Sequence, residues 1–143
     1  MENFKDVLKD CILEEGISLR NLSEKTGVAS TQFSSYLRGS IPTLPIAIKI
    51  AKYFNCSLDY LFGLTDLKKT GYYKDSFDIN LFLTRYEKAL KENKLTHWKF
   101  CKISNLNESV LRHWKTGDIP SFKYLITIAR ELSVSLDYLV GRC

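Results

Sequence analysis

The sequence predicts an all-α fold built from two tandem five-helix units. Three observations lead to this prediction. Apolar residues recur at helical spacing, helix-capping and helix-breaking residues separate these segments, and a pattern of 60 residues occurs twice. SLDYLFG at 57–63 returns as SLDYLVG at 135–141, at an offset of 78 residues. At that offset, and without a gap, residues 4–63 and 82–141 share 14 identities in 60 positions.

Caps and apolar spacing predict five helices in the first copy. Ser18, Thr43 and Ser57 each carry a side-chain oxygen at the start of a helical pattern, where unpaired backbone amides need an acceptor. Gly16 and Gly27 follow the first two patterns and suit left-handed helix ends. The expected helices are Phe4–Glu15, Leu19–Thr26, Ser30–Arg38, Leu44–Phe54 and Leu58–Phe62.

The second copy has the same pattern of helix caps, formed mostly by different residue types. Oxygen-bearing side chains again stand at the predicted helix starts. The expected caps there are Thr96, Asn107, Ser121 and Ser135. Domain 1 is therefore expected at residues 1–65 and domain 2 at 81–143, with a linker at 66–80 whose Tyr72, Tyr73 and Phe77 pack onto a neighbouring domain.

Composition excludes several classes of protein. With 45% hydrophobic and 26% charged residues, the chain has the make-up of a soluble globular protein. No apolar run approaches the roughly 18 residues that a membrane-spanning helix needs, and the N-terminus is charged, so we expect a cytoplasmic protein that does not enter a membrane. The four cysteines form no C-x-x-C pair, which favours buried free thiols over metal or redox chemistry. They are Cys11, Cys56, Cys101 and Cys143.

Two segments carry a family resemblance. ISLRNLSEKTGVASTQFSSYLRG at 17–39 and IPTLPIAIKIAKYFNCSLDYLFG at 41–63 resemble the phage-repressor type (Cro-like, XRE-type) of helix-turn-helix domain. The resemblance extends over both copies and implies two tandem lambda-repressor-like DNA-binding domains. In that family the third helix enters the major groove and the fifth often forms a dimer interface. One departure is that Leu19 and His97 stand where many members have a phosphate-anchoring Gln.

The resemblance assigns base and phosphate contacts in the first copy. Gln32 can pair a donor and an acceptor with adenine, while hydroxyl groups can contact either bases or phosphates. The alternative is that this Ser/Thr/Gln-rich helix is only a solvated face. The expected base contacts are Ser30, Thr31, Gln32, Ser34 and Ser35, and the expected phosphate contacts are Arg20, Lys25 and Arg38.

The second copy carries the positive charge but is ambiguous as a DNA reader. Residues 80–143 hold 11 basic and 6 acidic groups, which accounts for the net charge of +5. Glu108 would face the negatively charged backbone, and an exposed Trp98 is a common protein-interface anchor, so a protein partner is an open alternative. The residues expected to contact DNA are Lys99, Lys102 and Lys115 for phosphates and Arg112 and His113 for bases.

The predicted function is sequence-specific DNA binding by a transcriptional regulator of the repressor type, on double-stranded DNA. No nucleophile elbow, phosphate loop or paired carboxylates suggest an enzyme or a cofactor, and Asp59 and Asp137 are explained by helix dipoles. The alternative is a protein-binding module, such as an antirepressor or an inhibitor of a nucleic-acid enzyme. The copies would form an intramolecular pseudo-dimer or halves of a homodimer. The expected interface residues are Tyr60, Phe62, Trp98, Tyr138 and Val140.

Overall fold

Ten α-helices account for all the regular secondary structure in a computed structural model, which describes residues 3–69 and 71–143. No strand occurs within these ranges. Internal contacts divide the chain into two compact units, unit 1 at residues 1–75 and unit 2 at residues 76–143. The predicted all-α class is confirmed. None of the described helices is both long and apolar enough to cross a bilayer.

Unit 1 contains the helices that the caps predicted, to within one residue. Ser18 Oγ accepts the amide of Asn21 at 3.1 Å, and Gly16 ends the first helix at φ 62°. A cap of this kind stabilises a helix by about 1 kcal/mol. Thr43 occupies an N-cap position, but its side chain makes no capping bond there. The helices are α1 (Phe4–Glu15), α2 (Leu19–Thr26), α3 (Ser30–Leu37), α4 (Leu44–Phe54) and α5 (Leu58–Leu61).

One apolar core holds unit 1 together. α3 packs against α1 and α2, and α5 packs against α1 and α4. The ring of Phe4 stacks on Phe62 at 5.0 Å and meets Tyr36 edge-on at 5.8 Å, which joins the ends of the unit to α3. Leu22 of α2 and Phe33 of α3 are fully buried, so each of these helices directs an apolar side chain into the core.

Unit 2 repeats the five helices, with one change at the start of its third helix. Asn107 was expected to cap this helix, but the helix begins at Val110 with Ser109 as N-cap. Asn107 Oδ1 instead accepts the amide and the hydroxyl of Ser109, at 3.0 and 2.8 Å, which forms a turn where unit 1 has helix. The helices are α6 (Ile79–Glu92), α7 (His97–Ser104), α8 (Val110–Lys115), α9 (Phe122–Leu132) and α10 (Leu136–Leu139).

The core of unit 2 contains a cluster of aromatic rings around Trp114. Trp114 lies edge-on to Phe82 at 5.1 Å and to Tyr86 at 5.7 Å, and all three side chains are buried. Edge-to-face ring pairs of this kind are favourable beyond their buried area. Trp114 replaces the smaller Tyr36 of unit 1, so α8 is anchored by a larger apolar side chain.

Two expectations about single residues had different outcomes. Cys11, Cys56 and Cys101 are buried free thiols, as predicted. The prediction that the linker aromatics pack is wrong for Tyr72, which is 81% exposed, although Tyr73 is half-buried.

Candidate nucleic-acid interface

The turn between α2 and α3 is built by local hydrogen bonds and one buried anchor. Gly27 ends α2 in the left-handed region at φ 77°. Thr26 Oγ1 donates to the carbonyl of Leu22 at 2.7 Å and accepts the amide of Val28 at 3.2 Å. Val28 itself is 2% exposed and fixes the turn to the core. The start of α3 is therefore held rigidly at the surface.

α3 divides its side chains between the core and the solvent. Phe33 and Tyr36 are buried, and the outer face carries only uncharged polar groups. Uncharged donors and acceptors can approach DNA without repelling its phosphates. Of the predicted base contacts on this face, three are exposed (Ser30, Thr31 and Gln32) and two are half-buried (Ser34 and Ser35).

Two of these side chains are already engaged in hydrogen bonds. Gln32 Oε1 accepts the backbone amide of Ala29 at 3.3 Å and so caps its own helix. Ser35 Oγ lies 2.7 Å from Ser40 Oγ, a contact that ties the following turn to α3. Because an amide oxygen has two acceptor positions, this cap does not by itself prevent Gln32 from accepting a bond from a base, and the cap is lost only if the side chain turns away from Ala29.

The predicted phosphate contacts of unit 1 are exposed cations around this face. Lys25 and Arg38 are exposed and make no ion pair with any described residue. Arg20 Nε lies 3.8 Å from Glu24 Oε1, an exposed pair that contributes little to stability and can exchange for a phosphate.

In unit 2 the aligned positions of Leu8 and Leu19 are occupied by Tyr86 and His97, which form a polar network. His97 Nε2 donates to the carbonyl of Glu108 at 2.8 Å, and its Nδ1 therefore accepts the hydroxyl of Tyr86 at 2.7 Å. Cys101 Sγ lies 3.6 Å from the ring. The ring of His97 is half-buried and connects α6 and α7 to the turn before α8.

Burial also changes the acid–base chemistry of this network. Removal from water raises the pKa of the Tyr86 phenol and that of the Cys101 thiol, with a smaller contribution from the nearby negative charge of Glu108 to the latter. Both groups therefore stay protonated at neutral pH, and Tyr86 keeps the proton that it donates to His97.

The basic residues predicted to meet DNA in unit 2 are all exposed. The ammonium group of Lys102 lies 4.8 Å from the centre of the Trp98 ring, a cation–π contact that covers part of this exposed indole. His113 Nδ1 lies 3.5 Å from Asp118 Oδ2, at the same repeat position as the Ser35–Ser40 contact. The remaining exposed cations are Lys99, Arg112 and Lys115.

An open groove of ≈ 620 Å³ lies between the start of α7 and α8 in unit 2. Its lining combines His97, Glu108 and Leu111 with the cations Arg112 and Lys115. The sequence indicated the cations but not the groove, because the groove depends on which neighbouring side chains are small.

The predicted interface residues differ in how much surface they leave free. Trp98 is 55% exposed, and Tyr60 and Tyr138 are half-buried. Phe62 stacks inside its own unit and is 4% exposed, and Val140 is 1% exposed. The two tyrosines and Trp98 thus have the side-chain surface that a contact would use.

A buried ion pair in unit 2 was missed at the sequence level. Arg142 donates to Asp137 Oδ1 at 2.7 Å, and both side chains are 2% exposed. Asp137 also lies in the first turn of α10, as the dipole explanation requires. The available signal was Arg142, which takes the place of Leu64 in the first copy.

Among residues 3–69 and 71–143, no group of three or more His, Cys, Asp or Glu side chains could hold a metal ion.

Comparison with known proteins gives one match. Residues 8–61 match the family model described as helix-turn-helix, a segment that lies within unit 1 and covers less than half of the chain. No curated protein and no solved structure shows a significant match. Residues 8–61 of unit 1 are therefore similar to a helix-turn-helix domain.

Proposed function

We propose that the chain is a sequence-specific transcriptional regulator of the repressor type, which places α3 of unit 1 in the major groove of double-stranded DNA. The observation that carries this proposal is the outer face of α3, where Ser30, Thr31 and Gln32 are exposed above a buried Phe33. A major groove about 12 Å wide admits one helix, and residues at its N-terminal turns reach base edges.

Gln32 is the main base-reading residue in this proposal. Its side-chain amide can form two hydrogen bonds with adenine, which is worth about 1–3 kcal/mol of discrimination against another base. If the side chain turns away from Ala29 to reach the base, the loss of that cap offsets part of the gain, since a neutral hydrogen bond contributes about 1 kcal/mol. The hydroxyls of Ser34 and Ser35 lie further along the same helix and contact a base or a phosphate.

Exposed cations supply the general affinity. Lys25 and Arg38 lie on either side of α3 in the sequence and meet phosphates, and Arg20 joins them when it leaves Glu24. In unit 2 the corresponding phosphate contacts are Lys99, Lys102 and Lys115, with Arg112 and His113 near the bases. Because the two reading helices differ, the preferred operator is asymmetric.

The two units act as separate domains joined by the linker at residues 66–80. They engage adjacent half-sites either within one molecule or as parts of a homodimer. The half-buried rings of Tyr60 and Tyr138, which occupy the same repeat position, are the proposed contacts between copies.

Selection from a random duplex library, followed by fluorescence anisotropy at two salt concentrations, tests this proposal. We expect an enriched motif and binding that weakens steeply with salt. Gln32→Ala should change the base preference, whereas Arg38→Ala should weaken binding to all sequences alike. Absence of any salt-dependent DNA binding by the full chain would contradict the proposed function.

A second candidate applies to unit 2 alone. The exposed Trp98 and the carboxylate of Glu108 on the reading side suit a protein partner better than a DNA backbone. Trp98→Ala separates the two cases. Unchanged DNA affinity in this variant together with lost association with a partner protein would favour protein binding, whereas reduced DNA affinity would favour the first proposal.

A further inference from the structure

The two copies differ in how they fill one site on the helix-turn-helix surface. In unit 1 the ring of Phe33 is fully buried between α2 and α3. In unit 2 the aligned Leu111 is smaller and only half-buried, and the neighbouring apolar positions have become polar. The aligned residues are Leu19, Phe33 and Leu37 in unit 1 and His97, Leu111 and Lys115 in unit 2.

These replacements accompany the groove of ≈ 620 Å³ beside α8. Its volume falls within the range of about 300–1,000 Å³ that small-molecule sites occupy. Leu111 provides an apolar wall, and Arg112 and Lys115 provide positive charge on the same helix. The site therefore has the size and the mixed character of a small-ligand site.

Most polar groups of the groove already have partners within the unit. His97 uses both ring nitrogens, and Ser109 and Thr116 donate their hydroxyl protons to Asn107 and to the carbonyl of His113. In contrast, no described acidic group pairs with either cation of the groove. Arg112 and Lys115 therefore have no counter-ion within salt-bridge distance, although the carboxylate of Glu108 belongs to the same lining.

We propose that this groove binds a small organic carboxylate. The carboxylate lies between Arg112 and Lys115, which stand three residues apart on one face of α8, and the apolar body of the ligand lies against Leu111. A guanidinium group matches a carboxylate with two parallel hydrogen bonds. The carboxylate of Glu108 in the same lining repels a second negative charge, so a monocarboxylate is preferred over a dicarboxylate.

Occupation of the groove would also regulate DNA binding, a consequence that rests on the proposed function. A monocarboxylate bound between Arg112 and Lys115 neutralises one positive charge and occupies both side chains, which would otherwise face DNA. The affinity for DNA then falls, and the dependence of log K on log salt becomes shallower by up to about 2. The binding of the carboxylate itself does not depend on that function.

Titration of the ¹⁵N-labelled full chain with sodium benzoate, followed by NMR, tests the site. Sodium chloride and the neutral isostere benzamide serve as controls. We expect saturating shifts at Leu111, Arg112 and Lys115 with benzoate only. Shifts that do not saturate, or that benzamide or chloride reproduces, would overturn the proposal.

The first copy supplies the variants for this test. Arg112→Ser and Lys115→Leu introduce the aligned residues of unit 1 at exposed positions and should each weaken benzoate binding at least tenfold. Leu111→Phe introduces the aligned ring and should fill the groove. If this last variant does not fold, the two charge variants still decide, because unchanged benzoate affinity in both would refute the site.

A matched control is Lys88→Ala, which removes an exposed lysine of the same unit that pairs with Glu92 outside the groove. It should leave benzoate affinity unchanged, and an equal loss in this variant would indicate unspecific charge attraction and refute the site.

DNA anisotropy in benzoate and in equimolar chloride then separates the two proposals. Benzoate binding without any DNA binding would contradict only the proposed function, and DNA binding without benzoate binding only the groove.

Discussion

At the scale of single residues, the aligned copies give the same side chain different surroundings. Asp59 and Asp137 stand at the same repeat position in the first turn of α5 and α10. Asp137 is buried against Arg142, whereas Asp59 is half-buried and has Leu64 at the aligned position. A buried pair of this kind is expensive to break, because removing one partner leaves a charge without compensation.

We expect Asp137→Ala to reduce the free energy of unfolding of unit 2 by about 3–5 kcal/mol. Urea denaturation followed by tryptophan fluorescence measures this, because both tryptophans, Trp98 and Trp114, lie in unit 2. Asp59→Ala, measured by circular dichroism, is the aligned variant of unit 1 and should lose less, because Asp59 is only half-buried. Equal losses would contradict a larger contribution from the buried pair.

Burial of a thiol predicts a loss of stability at alkaline pH. Removal of Cys11 from water, with a smaller effect of the nearby carboxylate of Glu14, raises the pKa of its thiol from 9.0 to about 11. Between these values the unfolded chain releases a proton that the folded chain retains. The free energy of unfolding is therefore unaffected by this group below about pH 9 and falls as the pH rises towards 11.

Cys11→Ala tests this assignment, since the aligned residue in unit 2 is Ala89. Urea denaturation by circular dichroism at pH 8 and at pH 10.5 should show a smaller alkaline loss in the variant than in the parent chain. The same loss in both would mean that another group is responsible.

At the scale of elements, most helix bounds followed from local rules, and the exception, the start of α8, lies where a local turn at Asn107 and a contact from α7 meet. Caps and breakers lie within a few residues of the amides and carbonyls that they satisfy, so the sequence predicted α1 and α2 to the residue. The late start of α8 accompanies the bond from His97 to Glu108, eleven residues away. A local sequence pattern does not reveal a contact that packing creates between two distant segments.

The two copies allow a double-mutant cycle on this network. His97→Leu should destabilise unit 2 by about 1–3 kcal/mol, since it leaves the buried hydroxyl of Tyr86 without its partner. Adding Tyr86→Leu recreates the Leu8–Leu19 pair of unit 1 and should lose less than the sum of the two single losses. Tryptophan fluorescence in urea measures both effects, and strict additivity would show that the two groups are not coupled.

At the scale of the whole molecule, positive charge is concentrated in the second copy. Residues 1–63 carry 7 basic and 7 acidic groups, and the excess lies in residues 80–143. A DNA-binding chain of this kind obtains much of its affinity from counterions released by its cations. Under the proposed function, unit 2 would then supply much of the general affinity, in addition to the base contacts proposed for Arg112 and His113.

Replacing Lys99 and Lys102 by alanine should therefore make the salt dependence of DNA binding shallower by up to about 2 in slope. Anisotropy titrations of the full chain between 50 and about 200 mM salt measure this slope. The control replaces Lys52 and Lys88 by alanine, which removes the same number of positive charges. Both lysines lie in exposed ion pairs outside the proposed interface. An equal change in the two double variants would remove α7 from the proposed interface.

Periodicity and capping act over a few neighbouring residues, so the all-α class, the helix ends other than the start of α8 and the polar character of the outer face of α3 follow from the order of residues. The burial of polar groups and the space left between side chains follow from the packing of the helices. The Asp137–Arg142 pair, the ring of His97 and the groove beside Leu111 each depend on how helices distant in the chain pack together, and that packing determines side-chain surroundings that residue type alone does not specify.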